Sequence, residues 1–157
     1  MKMSYAEISN CFFPNQLYYA VEDDTWLRKN EDGTITIGIT DVGQTLAGTI
    51  LHATPKKVGV KRERGEPITV IESSKWVGPI KSPVSGTIMR INEDIVEDAS
   101  LMNKSPYNQG WLVVIEPLNL EAELADMLIG KAAVDAYRLK VEKEDIEQCD
   151  HCEGFEI

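Results

Sequence analysis

The chain has 157 residues with a formal net charge of −10, a length that suits one domain with a real core. A polyanion partner demands a basic footprint, so the charge argues against nucleic acid. No apolar run approaches the roughly 20 residues of a bilayer span, and no apolar stretch of a secretory leader follows Lys2, which gives a cytoplasmic reading with no membrane partner. The charge is uneven. Lys56, Lys57, Lys61, Arg62 and Arg64 are opposed only by Glu63, whereas Glu142 to Ile157 holds seven acids against Lys143.

In chain order, Tyr18 to Val21 is β-prone. Trp26 to Arg28 and Thr34 to Ile37 flank Asp32-Gly33, a pair suited to the positive φ angles of a tight hairpin turn. Asp41 reads as the N-cap of a short helix that stops at Gly48. Thr49 to Ala53 reads as a strand, Gly65-Glu66-Pro67 breaks the chain, and Ile68 to Ile71 resumes it. Ser82-Pro83 and Ser85-Gly86 bracket a turn before Thr87 to Ile91, and Trp111 to Ile115 closes the β region, which Pro117 ends. Beyond it Leu120, Leu124, Met127 and Leu128 recur at helical spacing, with Asn119 as a possible cap. Gly130 interrupts, and Lys131 to about Lys143 forms a second helix with Val134, Tyr137 and Val141 on one face. The pattern divides the chain into an N-terminal extension (1–16), a β domain (17–117), C-terminal helices packed on it (118–143) and an acidic tail (144–157). The first and last dozen residues read as loosely attached. Three cysteines do not make a disulfide framework, and Cys11 reads as a buried or loop thiol.

The segment with the most chemical content is Glu72-Ser73-Ser74-Lys75-Trp76, between the apolar strand Ile68–Ile71 and a second run, Val77 to Lys81. Strand, polar tip and returning strand put Lys75 at or near a hairpin tip, rigidly supported and accessible to a modifying enzyme. By spacing alone an ordinary turn lysine is the better reading.

Six ordered segments carry a resemblance: Gly33 to Asp41, Gly65-Glu66-Pro67, Glu72-Ser73-Ser74-Lys75, Ser82 to Gly86, Ile91-Asn92-Glu93, and Ser105-Pro106-Tyr107 with Gly110-Trp111-Leu112. Over roughly Leu17 to Tyr137 the chain resembles the H protein of the glycine cleavage system. The resemblance implies a mostly β, lipoyl/biotinyl-type barrel-sandwich hybrid with short C-terminal helices. It also implies lipoate amide-linked to Lys75, and a carrier that is not itself an enzyme: the cofactor supplies the chemistry and the protein supplies attachment and recognition. Its implied partners are a lipoate ligase or lipoyl synthesis enzymes, dihydrolipoamide dehydrogenase, and either the glycine cleavage enzymes or a heterodisulfide-reductase-like complex. Met1-Lys2-Met3 imitates a biotin attachment motif, but with no strand before it and no hairpin around it biotin at Lys2 is not expected.

Three positions depart from the family. Thr25 stands where a histidine usually precedes the first-hairpin tryptophan. Trp76 replaces the usual alanine after the lysine, and could pack over a lipoyl arm or fill a gap in the barrel. The Lys56–Arg64 loop is basic where the family is often acidic, which suggests different partners. The tail adds Cys149-Asp150-His151-Cys152. Two thiolates and one awkward histidine fall short of a four-ligand zinc site. The tail could instead form a disulfide, exchange with a lipoyl dithiol, or be unstructured with incidental cysteines. These departures lean toward H-like lipoate-binding proteins that carry sulfur in heterodisulfide-reductase-like sulfur oxidation, with the aminomethyl carrier of glycine cleavage as the alternative and a non-lipoylated interaction protein as a third reading.

Overall fold

Ile35, Ile37 and Ile39 alternate with Thr36 and Gly38, yet all five are buried, so this strand must be covered on both faces. The computed structural model, which describes residues 4–157, shows how. In chain order the strands are β1 (Tyr5–Ile8), β2 (Cys11–Pro14), β3 (Tyr18–Ala20), β4 (Thr25–Lys29), β5 (Ile35–Ile39), β6 (Ile50–Pro55), β7 (Lys61–Arg62), β8 (Pro67–Ser73), β9 (Val77–Lys81), β10 (Gly86–Ile91), β11 (Val113–Pro117) and β12 (Leu128–Ile129). The helices are α1 (Asp41–Ala47), α2 (Glu93–Glu97), α3 (Leu101–Lys104), α4 (Leu120–Leu124) and α5 (Lys131–Lys143). A seven-stranded sheet runs β12-β3-β4-β5-β11-β10-β7, a three-stranded sheet runs β6-β8-β9, and β1 pairs with β2. The fold is thus mostly β with short C-terminal helices, as the pattern implies, and the sheets do not close into a barrel. No helix among the described residues is long and apolar enough to cross a membrane.

Two apolar clusters hold these layers together. Leu27, Ile35, Ile37, Ile68, Ile71 and Ile88 fill the space between the large sheet and the β6-β8-β9 sheet. Phe13, Tyr19, Trp26, Tyr107 and Tyr137 form the second cluster on the other side. There Trp26 lies across its cross-strand partner Gly38 and donates Nε1–H to Pro106 O at 3.0 Å. Tyr137, on the apolar face of α5, stacks on Phe13 with ring centroids 4.5 Å apart. Burying a ring of this size is worth about 1.5–3 kcal/mol, which anchors a helix whose own propensity could not.

Several local expectations change. The β4–β5 connection is a five-residue loop, 30–34, in which only Gly33 takes a positive φ (+87°); Asp32 instead accepts a hydrogen bond from Thr34 N–H at 3.0 Å. The N-cap of α1 is Thr40, whose Oγ1 accepts from Gly43 N–H at 3.0 Å, and Asp41 is the first helical residue. Asn119 occupies the N-cap position of α4 without a capping side-chain bond.

Among the described residues, both end segments are anchored. The β1–β2 hairpin packs against α1 and α5, and Cys11 forms a disulfide with Cys149 across a sequence separation of 138. The tail thus forms a disulfide, one of the options open to it, with Cys11 as the partner of Cys149, so Cys11 is no free thiol. With Cys149 in a disulfide, the tail cannot offer two thiolates to zinc. Lys2, the biotin decoy, lies outside the described residues.

Candidate functional site

Lys75 sits at the tip of the β8–β9 hairpin, whose register pairs Glu72 with Val77. Ser73 builds that tip. Its N–H donates to Trp76 O at 2.7 Å, while its Oγ accepts from Lys75 N–H at 3.2 Å and Trp76 N–H at 3.0 Å. One buried hydroxyl thus satisfies two turn amides that extended strands would leave unpaired. Beside it, Ser74 N–H donates to Thr49 O at 2.9 Å, which ties the tip to the start of β6.

The lysine stem is supported from below. Gly48, at φ +77° where α1 ends, is close enough that a Cβ there would stand 3.3 Å from Lys75 Cδ and Cε. Glycine meets both demands, the left-handed backbone and the close approach. Asn103 of α3 fixes this corner: its Nδ2 donates to Gly48 O at 2.9 Å and its Oδ1 accepts from Ile50 N–H at 2.9 Å. The Lys75 side chain is exposed, and its amine makes no hydrogen bond or ion pair among the described residues. Trp76, 45% exposed, does not fill the interior. Its indole folds onto its own hairpin against Gly78, leaving no room for a Cβ there.

Lys75 stands between two grooves. One, of about 540 Å³, has apolar walls that include Leu46, Ile71, Trp76 and Pro79, and an acidic end made by Glu22, Asp23 and Asp24. Asp24 is held by Lys140 Nζ at 2.9 Å and by the Tyr137 hydroxyl at 3.2 Å. Burial pushes its carboxyl above the usual range, and Lys140 opposes that. The second groove, of about 420 Å³, is lined by Gly48, Ser74, Lys75 and Lys104 together with the tail residues Asp150, His151 and Cys152.

The tail reaches this groove as a strap with several anchors. Asp150 N–H donates to Thr45 Oγ1 at 3.1 Å, and Gln44 Nε2 donates to Asp150 O at 2.7 Å. His151 stacks on Phe155 with ring centroids 3.6 Å apart, and Phe12 completes the cluster 5.5 Å from His151 and 6.1 Å from Phe155. Asn10 Nδ2 stands 3.3 Å from His151 Nδ1. With that amide as donor, Nε2 carries the proton facing Asp41 Oδ2 at 2.7 Å. Asp41 also accepts from Phe12 N–H at 3.0 Å and Gln44 Nε2 at 2.9 Å. Burial raises its carboxyl pKa, and these donors hold it partly down. Further on, Glu156 N–H donates to Lys104 O at 2.7 Å.

Of the residues singled out in the sequence, the fold therefore brings Lys75, Trp76 and the Cys149–Cys152 segment to one corner. The basic Lys56–Arg64 loop lies elsewhere, with Arg64 paired to Asp126 at 2.7 Å. His52 is exposed on β6, 3.7 Å from Glu72. Sequence reasoning did not foresee the parts that Ser73, Gly48 and Asn103 play at this corner. Ser73 left a signal, since a serine two residues before a turn position commonly caps it; the other two act through contacts distant in sequence.

The family model of the glycine cleavage H-protein matches residues 17–141. The chain is 41% identical over 143 residues to glycine cleavage system H protein 3 of Aquifex aeolicus (strain VF5), covering 89% of each chain. It is 39% identical over 146 residues to probable glycine cleavage system H protein 2 of Sulfurisphaera tokodaii, covering 92% of this chain and 97% of that one. Among solved structures, a glycine cleavage system H protein from Mycobacterium marinum superposes with a TM-score of 0.70 at 25% identity, over 80% of this chain and 98% of its own. Proteins of that family carry lipoate covalently on a lysine and act as carriers rather than catalysts. The matching model, the relatives and the shared fold together make this chain a member of the glycine cleavage H-protein family.

Proposed function

We propose that Lys75 is the lipoyl attachment site and that the chain is the mobile-arm carrier of a glycine cleavage system. The observation that carries this reading is the Lys75 tip: a lysine with an unengaged amine, on a turn whose backbone amides are all satisfied, flanked by two grooves. The residues fit a lipoyl group. Gly48 and Ser74 support the stem of the arm, and the apolar walls of the larger groove suit its aliphatic chain. When bound, lipoate supplies a cyclic disulfide that a nucleophile opens and a partner re-forms by exchange. The protein holds the amide root in one place, keeps the modified side chain accessible, and presents Glu22 and Asp23 where an amine-bearing load would be favoured over a neutral one. Its partners on this reading are a lipoate ligase or lipoyl synthesis enzymes, the decarboxylase and aminomethyltransferase of glycine cleavage, and dihydrolipoamide dehydrogenase, with the cytoplasm as the site of action.

The test is direct. Incubation with a lipoate ligase should add one lipoyl mass to the chain and none to Lys75→Arg; absence of that mass would leave the non-lipoylated interaction protein as the better reading. The lipoylated chain should then stimulate glycine–CO₂ exchange by the decarboxylase. No stimulation would reject glycine cleavage and favour a lipoyl sulfur or redox carrier serving a heterodisulfide-reductase-like complex. That second reading keeps one structural support, the exposed thiol of Cys152 beside Lys75. It draws none from Trp76, which rests on its own hairpin, nor from a Cys149–Cys152 pair.

A further inference from the structure

Cys152 is the one cysteine outside the disulfide, it is exposed, and it shares the 420 Å³ groove with Lys75. Its place there is built rather than incidental. On its N-terminal side the strap is fixed by the Cys11–Cys149 disulfide, by Asp150 on Thr45 and Gln44, and by His151 on Asp41. On its C-terminal side Phe155 N–H donates to Cys152 O at 3.1 Å, and Glu156 binds Lys104 O. The same groove is lined by the Gly48–Ser74–Lys75 corner, itself held by Asn103 and Ser73. One groove, lined by hydrogen-bonded segments, therefore holds both the root of the arm and a thiol.

We propose that Cys152 is an internal exchange partner of the lipoyl arm, seated in this groove. The proposal rests on Lys75 as the lipoyl site. The Cys152 thiolate attacks one ring sulfur of the dithiolane. A disulfide forms between Cys152 Sγ and that sulfur, the ring S–S bond breaks, and the second ring sulfur leaves as a thiolate that takes up the proton Cys152 lost. No electrons enter or leave, so no external oxidant or reductant is needed. Because root and thiol belong to one chain, the step is intramolecular, at an effective concentration on the order of millimolar. The five-membered ring re-forms when the released thiol returns, so the product is a reversible parked state that accumulates only when that thiol is captured.

The experiment uses the full chain, lipoylated by a ligase and kept in the ring-closed form without reductant. N-ethylmaleimide is added, and the chain is digested under non-reducing conditions and mapped by mass spectrometry. The expected product is a disulfide-linked pair of peptides, one containing Cys152 and the other lipoyl-Lys75 with a single maleimide on the arm. Adding reductant should separate the pair, and Cys152→Ser should abolish it. Moving the thiol one residue along the exposed strap, in Cys152→Ser/Glu153→Cys, should lower its yield about tenfold if the groove positions the thiol. Maleimide found only on Cys152, with no linked pair, would overturn the exchange while leaving the carrier intact. An equal yield from the moved thiol would overturn the built seat. A chain that takes up no lipoyl mass at Lys75 would overturn both readings.

Discussion

The Cys11–Cys149 disulfide makes a quantitative prediction. It closes a loop with a sequence separation of 138, so the chain-entropy relation assigns it about 5 kcal/mol through restriction of the unfolded state, with measured cases more often at about 2–4 kcal/mol. The perturbation of choice is Cys11→Ala/Cys149→Ala, because both cysteines are buried, at 0% and 1% exposure, and serine would add unpaired buried hydroxyls. Urea unfolding followed by tryptophan fluorescence reads the change, since Trp26 is fully buried. With a slope of about 2 kcal/mol/M, the midpoint should fall by about 1–2.5 M. Wild type in excess reductant should fall by a similar amount. A shift below about 0.3 M in both would refute the reasoning, because no 138-residue restraint could then have been acting on the unfolded chain.

Three further outcomes follow from the site and its supports. Lys140→Met leaves Asp24 buried without its cation, at a cost of about 3 kcal/mol near pH 7. Burial already raises the Asp24 carboxyl above its unfolded value, so its contribution is fullest at acid pH and declines as pH rises through the folded pKa. Without Lys140 that decline is larger, so the gap between variant and wild type in urea unfolding should widen from pH 4 to pH 7; a constant gap would contradict this. Gly78→Val removes the seat of the Trp76 indole and should increase acrylamide quenching of the exposed tryptophan fluorescence and slow ligase modification several-fold, whereas unchanged quenching would mean the indole is not held there. Thr40→Ala deletes the α1 cap and should cost about 1 kcal/mol, a fall of about 3 °C in calorimetric Tm; an unchanged Tm would mean the cap is not holding α1.

What was legible in the sequence was local. The Lys75 hairpin was readable because Ile68–Ile71, the polar tip and Ser82-Pro83 lie next to one another in the chain. The α5 face was readable because Tyr137 and Val141 repeat at helical spacing. The α1 cap was not: Asp41 reads as the cap, but Thr40 takes that place and Asp41 is drawn inward by His151 and Phe12 N–H, contacts 110 and 29 residues away in sequence. The Cys11–Cys149 pairing was invisible for the same reason. Three cysteines admit three pairings, and only the folded placement of β2 beside the strap selects one.

The double acceptance by Ser73 Oγ has one more consequence. With the amides of Lys75 and Trp76 both engaged and Ser74 tied to Thr49, the backbone contributes almost no play to the tip. Any group borne on the Lys75 amine then swings about a fixed pivot, and its reach is a shell of constant centre. Loop excursions cannot lengthen it. If Lys75 bears the lipoyl arm as proposed, each enzyme using it would have to place its catalytic centre inside the same shell, and the docking poses of all partners would converge on a common radius around one Cα.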